Sequence, residues 1–247
     1  MARAVIFLVR HGETEWNRVH RYQGWGDSPL TARGVAQAEA IGRRLCTLRE
    51  AEAAEIVASP IGRARRTAEI IRGRITADGL GRAASLRFDE RLREISIGAW
   101  DGLDRDEIAA LAPGIFDGDG RHEWYFRTPD GETYDDFAAR IAAWLAEQDG
   151  RSVIAVTHGI VTRVMRGLYG GLPRATALSL PVPQDRIFHL AGGTIAEIEI
   201  TKACGEAAAS GHYSGTLGAG EGFRLRNLAA VRGLDQPPKQ QTMIVDG

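Results

Sequence analysis

The chain is short of cysteine: Cys46 and Cys204 are the only two in 247 residues, far apart and in no CxxC or Cys/His spacing. That argues against a disulfide framework or a structural zinc site and predicts reduced thiols in a cytoplasmic protein. Long apolar runs are lacking too. The run at the N-terminus, Ala4 to Val9, is too short for a signal-peptide core or a bilayer span. Net charge is nearly absent, formally -1, so no global pull towards nucleic acid or an anionic membrane is expected. A local basic site fits such a neutral total. What remains is a soluble composition, 44% hydrophobic and 26% charged, long enough for one large core. The expected division is a single domain over residues 1–235, with a flexible Gly/Ala/Ser-rich loop at about 205–222 and a polar, disordered tail at 236–247.

Two apolar runs, Ala4–Val9 and Ser152–Val156, read as strands buried on both faces. Each stops at a functional-looking triplet, Arg10-His11-Gly12 and Thr157-His158-Gly159. Shorter strands are expected at Glu55–Ala58 and Ser85–Phe88, with a hairpin around Ala191-Gly192-Gly193 and another strand at Phe223–Leu228. Between the strands, Val35, Ala38, Ile41, Leu45 and Leu48 share one helical stripe. Ser59-Pro60 reads as an N-cap and first helical residue, and Thr133 with Asp136 as a capping box. Ile160–Leu168 makes a short helix closed by Gly170-Gly171. Strands alternating with helices predict an α/β fold: a three-layer α/β/α domain, its sheet mostly parallel and helices on both faces.

In such a sheet, ligands bind beyond the strands' C-terminal ends. Arg10, His11, Arg63 and His158 can meet there. Forked guanidinium donors, imidazole N–H groups and helix-start amides form the arrangement that binds phosphate. Gly12 and Gly159 would let backbone approach the ligand. His11 is the candidate nucleophile, because nearby arginines favour the neutral imidazole that attacks phosphorus and then stabilise charge on the phosphoryl oxygens. His158 would donate to those oxygens. A leaving alkoxide also needs a proton, and a carboxylic acid beside the phosphate is the natural source. Glu13, Asp89, Glu90 and Glu94 are the local acids. Trp100, Trp124, Tyr125 and Phe126 can line a substrate mouth or pack beneath the glycine-bearing segment 112–129. His20, His122, His189 and His212 have no metal-ligand spacing.

Leu8-Val9-Arg10-His11-Gly12-Glu13-Thr14-Glu15-Trp16-Asn17 resembles the opening motif of the histidine phosphatase superfamily, phosphoglycerate mutase-like branch. The resemblance continues, in order, through Arg21–Thr31, Ser59–Ala64 with Thr67-Ala68, Leu92-Arg93-Glu94-Ile95 with Gly98 and Trp100, and Val156–Gly159. It implies a phosphoglycerate mutase-like fold, His11 as phosphohistidine nucleophile, Arg10, Arg63 and His158 as the phosphate pocket, and Glu94 as proton donor. It further implies Asn17, Gln23 and Gly24 at the substrate rim, and a transfer that uses neither metal nor cofactor. Two positions depart from the pattern: Arg66 stands where relatives often carry glutamine, and Asp101 where glutamate commonly follows the tryptophan.

Three activities are compatible with these residues. A phosphatase passes the phosphoryl group to water, and a mutase returns it to a second hydroxyl. A non-catalytic binder would be expected to lack His11 or a clamp residue, and this chain has them all. The span from Trp100 to His158, only moderately long, and the segment Arg21-Tyr22-Gln23-Gly24 resemble the phosphatase side. The expected partner is a small phosphorylated metabolite, with no nucleic acid and no membrane; a homo-oligomer stays open.

Overall fold

The computed structural model describes residues 4–78, 85–118, 120 and 122–200. The predicted loop at 205–222, the strand at 223–228 and the tail from 236 lie outside these residues. Strand β1 (Val5–Arg10) is followed by a single helical turn, α1 (Glu15–Arg18), and by α2 (Ala32–Cys46). Next come β2 (Glu55–Ala58), α3 (Gly62–Ala77) and β3 (Leu86–Phe88). A short α4 (Arg105–Leu111) precedes α5 (Tyr134–Ala146). The chain then forms β4 (Ser152–Thr157), α6 (Gly159–Gly170) and α7 (Arg174–Ser179), and closes on β5 (Arg186–Ala191) and β6 (Thr194–Glu199).

Among the described residues, six strands form one sheet in the order β3-β2-β4-β1-β5-β6. β1, β2, β3 and β4 pair in parallel, while β5 pairs antiparallel with both β1 and β6. The sheet is thus mixed, its antiparallel part supplied by the late hairpin. That hairpin turns at Gly192 and Gly193, with φ of 59° and 84°, the left-handed backbone a tight two-residue turn needs.

Alternation along β1 explains its unbroken apolar sequence. Ile6 and Leu8 pack with Phe137, Ile141 and Trp144 of α5 and with Val161, Val164 and Met165 of α6. Phe7 and Val9 point the other way, onto Ile41 and Leu45 of α2 and Ala64, Ala68 and Ile71 of α3. A strand covered on both sides has no face to make polar. Each buried aliphatic side chain contributes roughly 1.5–3 kcal/mol.

Of the two predicted helix starts, the Thr133 cap forms without the reciprocal bond of a capping box, and the Ser59-Pro60 start does not form. Thr31 and Thr133 cap α2 and α5, accepting from Gly34 N and Asp136 N. Ser59, however, does not cap α3. Its hydroxyl accepts from Ile61 N–H at 3.3 Å and pairs with His158 at 2.8 Å, and Ile61 takes the cap position. The first-turn amide of Arg63 is instead served by Asp27 Oδ1, 3.0 Å away in a separate loop.

Candidate active site

The parallel register of β1 and β4 ends with Arg10 opposite Thr157, and His11 N–H extends the pairing one step by donating to Thr157 O at 2.9 Å. His11 and His158 therefore leave neighbouring strands side by side, ring centroids 5.3 Å apart. Both rings are buried. His11 Nδ1 lies 2.8 Å from Gly12 O. A carbonyl only accepts, so Nδ1 carries the proton and Nε2 keeps the lone pair. Burial first, then the charges of Arg63 and Arg10, hold this imidazole well below its ordinary pKa. A neutral ring with an unprotonated Nε2 is the form a nucleophile needs. His158 is held neutral in the same way, by burial and then by Arg63, His11 and Arg10. Its Nε2 pairs with Ser59 Oγ, while its buried Nδ1 has no hydrogen-bond partner among the described residues.

Arg63 is buried, with 1% of its surface exposed. Nη1 donates to Gly26 O at 2.6 Å and Nη2 to Gly24 O at 2.7 Å, and Asp27 Oδ1 lies 3.4 Å from Nη1. Nε has no partner among the described residues. Burial lowers the guanidinium pKa, opposed by the charges of Glu94, Asp27 and Asp101. Thr67 links this arginine to the turn after His11, donating to Arg63 O at 2.7 Å and accepting from Gly12 N at 3.1 Å. Gly12 itself is required for packing. A Cβ there would stand 2.3 Å from Gly34 O, so only glycine lets α2 seat against the motif.

A strap between α7 and β5 holds the other arginine, and three consecutive carbonyls each receive a guanidinium. Arg163 Nε donates to Leu180 O at 2.8 Å, Arg166 Nη2 to Pro181 O at 2.5 Å, and Arg10 Nη1 to Val182 O at 2.7 Å. Burial lowers the Arg10 pKa to about 10, with Glu94 pulling the other way, so it stays cationic at neutral pH. Its buried Nε is unpartnered among the described residues. Gln184, at the end of the strap, donates to His11 O at 3.1 Å and to Asn17 Oδ1 at 3.0 Å.

Glu94 is buried against the start of α6. Oε2 accepts from Ile160 N at 3.1 Å, and Oε1 from Ile95 N at 3.0 Å and Val161 N at 3.3 Å. A Cβ on Gly159 would lie 3.7 Å from Glu94 Oε2 and 3.8 Å from Arg10 Nε, so this glycine keeps the space between acid and guanidinium open. Tyr125 interacts electrostatically with both: burial, then the Glu94 charge, pushes its phenol above the usual range.

The other sequence-predicted residues divide. Asn17 and Gln23 spend polar atoms on the protein, Asn17 Oδ1 accepting from Thr14 N and Gln23 Nε2 donating to Thr14 Oγ1. Gly24 contributes its carbonyl to Arg63. Trp100 and Trp124 form a small core with Ile108, while Phe126 packs on Tyr134 and Phe137. Glu13 accepts from Thr31 Oγ1 at 2.9 Å, and Asp89 pairs with Arg91. Sequence reasoning missed Ser59 as a histidine partner, Thr67, Asp27 and the whole strap from Leu180 to Gln184. The strap has no periodicity to find; only the prolines at 181 and 183 mark it as a connection. Among the described residues no group of three or more His, Cys, Asp or Glu side chains is placed to hold a metal, and no helix is long and apolar enough to cross a membrane.

Comparison with known proteins places this geometry. The model of the histidine phosphatase superfamily (branch 1) matches residues 6–194. The probable phosphoglycerate mutase GpmB of Citrobacter koseri is 33% identical over 244 residues, covering 94% of this chain and 95% of its own. The structure of Bacillus stearothermophilus YhfR is 36% identical with a TM-score of 0.63, over 77% of this chain and 93% of that one. A mycobacterial glucosyl-3-phosphoglycerate phosphatase is 28% identical with a TM-score of 0.61, over 76% and 90%.

Proposed function

The chain belongs to the histidine phosphatase superfamily, and from that premise we propose that it hydrolyses small phosphomonoesters through a phosphohistidine on His11. One observation carries this reading: a neutral His11 beside three buried nitrogens with no partner among the described residues, Arg10 Nε, Arg63 Nε and His158 Nδ1. Donors left unsatisfied inside a protein are costly, and a phosphoryl group supplies the oxygens they lack.

In the first half-reaction, His11 Nε2 attacks phosphorus, the N–P bond forms and the P–O ester bond breaks. The two arginines hold the equatorial oxygens, where negative charge resides in the transition state. With the Ser59 hydroxyl donating to His158 Nε2, Nδ1–H of His158 is free to donate to the same oxygens. Glu94, which takes up a proton as the phosphate dianion settles beside it, gives that proton to the departing alkoxide. In the second half-reaction, Glu94 takes a proton from water as the water attacks phosphorus, the N–P bond breaks and inorganic phosphate leaves. Arg10 and Arg63 are cations before substrate arrives, so the pocket needs no further charge to receive a dianion. This reading proceeds without metal or cofactor and places the protein in the cytoplasm, with a small phosphorylated metabolite as substrate.

A mutase reading is favoured by the names of relatives such as GpmB. Against it stands the modest cover between Trp100 and His158, made of α4, one short turn and α5. The test is to mix the protein with 3-phosphoglycerate and 2,3-bisphosphoglycerate, and separately with an aryl phosphate in chelator. Free phosphate should appear from the aryl ester. Formation of 2-phosphoglycerate that outpaces phosphate release would replace hydrolysis by mutase chemistry.

A further inference from the structure

Asp101 lies outside the residues proposed to surround the phosphoryl group. Its carboxylate grips the loop whose carbonyls hold Arg63. Oδ1 accepts from Gly24 N at 3.0 Å and Oδ2 from Gly26 N at 2.5 Å. The carbonyls of the same two residues, Gly24 and Gly26, are the acceptors for Arg63 Nη2 and Nη1. Between them, Trp25 donates from Nε1 to Glu94 O at 2.9 Å. Gly24 and Gly26 thus meet Asp101 through their amides and the clamp arginine through their carbonyls, while Trp25 between them holds the acid's backbone. The fit is tight: a Cβ on Gly26 would come within 2.9 Å of Asp101 Oδ1, and one on Gly24 within 2.7 Å of Ile95 O.

We infer that Asp101 is a positioning residue, which sets the direction of the Arg63 guanidinium by fixing the two carbonyls that hold it. The physical reason is the economy of one carboxylate. Its two oxygens satisfy the amides of Gly24 and Gly26, which pins the peptide planes 23–24 and 25–26; the carbonyls that fork the guanidinium lie in the adjoining planes, across the Cα of each glycine, so the carboxylate sets them by fixing where those two α-carbons stand. Charge-assisted bonds of this kind are short and directional, so the loop has little freedom to rotate. Arg63 lacks the freedom to compensate, because it is buried on every side. Asp101 also supplies part of the negative charge that offsets Arg63's burial.

The inference rests on the reading of Arg63 as a phosphate clamp, and the experiment separates the two. Inorganic phosphate binding is measured by calorimetry, and aryl phosphate turnover by steady-state kinetics, for wild type, Asp101→Asn, Asp101→Glu, Arg63→Ala and the double variant Arg63→Ala with Asp101→Asn. Replacing one carboxylate oxygen by an amide nitrogen sets a donor against a donor. Asp101→Asn should therefore weaken phosphate binding about tenfold or more, the loss expected for a charge-assisted bond. The same variant should raise KM and lower kcat together. Asp101→Glu, which keeps the charge, should recover most of the affinity. In the Arg63→Ala background, Asp101→Asn should change phosphate binding by less than about twofold, because nothing remains to be positioned. A merely structural aspartate would give the same loss in both backgrounds, and that result would overturn the inference. So would wild-type phosphate affinity in Asp101→Asn. Wild-type protein that neither binds phosphate nor turns over aryl phosphate would instead remove the clamp reading itself, and the inference with it.

Discussion

At the β1–β4 edge, the groups around His11 are placed by short directional bonds. Gly12 O orients its ring, Ser59 orients His158, two carbonyls fork Arg63, and Val182 O holds Arg10. The cover from Trp100 to Phe126 is held by rings. Trp124 stacks on Tyr125 with centroids 4.0 Å apart and meets Tyr22 at 4.6 Å and Phe116 at 5.2 Å edge-on. The contrast has a chemical meaning. Directional bonds fix a reacting geometry to fractions of an ångström, as phosphoryl transfer demands. Ring packing tolerates exchange of one shape for another and fixes no single geometry.

The largest expected effect lies at the β1–β4 edge, the floor of the site. His11→Ala should lower turnover of aryl phosphate by about ten-thousandfold or more while the melting temperature stays near wild type. Activity kept by this variant would break the assignment of floor to chemistry. Glu94 stands where the two regions meet, and Glu94→Gln should slow an alkyl phosphate by about a hundredfold or more, with a smaller loss on an aryl phosphate whose leaving group barely needs a proton. Equal slowing of both esters would take the acid role away from it. On the cover, Trp124→Ala should cost about 3–5 kcal/mol in urea unfolding, the usual penalty for emptying a buried aromatic site. The same variant should leave kcat on a small aryl phosphate within about tenfold. A collapse of kcat comparable to that of His11→Ala would make the cover part of the reaction.

The smallest effect is a slope with pH. His11 and His158 are held neutral, their folded pKa values well below the ordinary 6.5. Below pH 6.5 the unfolded chain binds protons that the folded one refuses, so stability is complete above that pH and falls as acid is added. Each histidine contributes at most ~1.4 kcal/mol per pH unit in that window. Urea midpoints between pH 7 and 5 should therefore decline, and His158→Asn should make the decline shallower. A flat wild-type profile would mean that neither ring is held neutral.

Much of the floor was legible without coordinates, because its parts are local. β1 and β4 announce themselves as apolar runs, and the triplets Arg10-His11-Gly12 and Thr157-His158-Gly159 sit at their ends by adjacency alone. The cover was less legible. Trp100 and Trp124 could equally have lined a mouth or filled a core, and their choice of Ile108 as a neighbour is a tertiary fact.

What the sequence determined by itself is the α/β alternation, the two strand ends, and the identity of the charged and imidazole groups carried there. Periodicity and contiguous motifs express those features directly. Only the tertiary structure decided that Ser59 serves His158 instead of its own helix, that Asp27 serves α3 from another loop, that Asp101 grips the turn holding Arg63, and that the strap at 180–184 captures Arg10. These bonds join residues as far as 172 positions apart, as from Arg10 to Val182. A side chain that hydrogen-bonds at such range leaves no periodic trace in the chain, and its partner is chosen only when the sheet brings the two together.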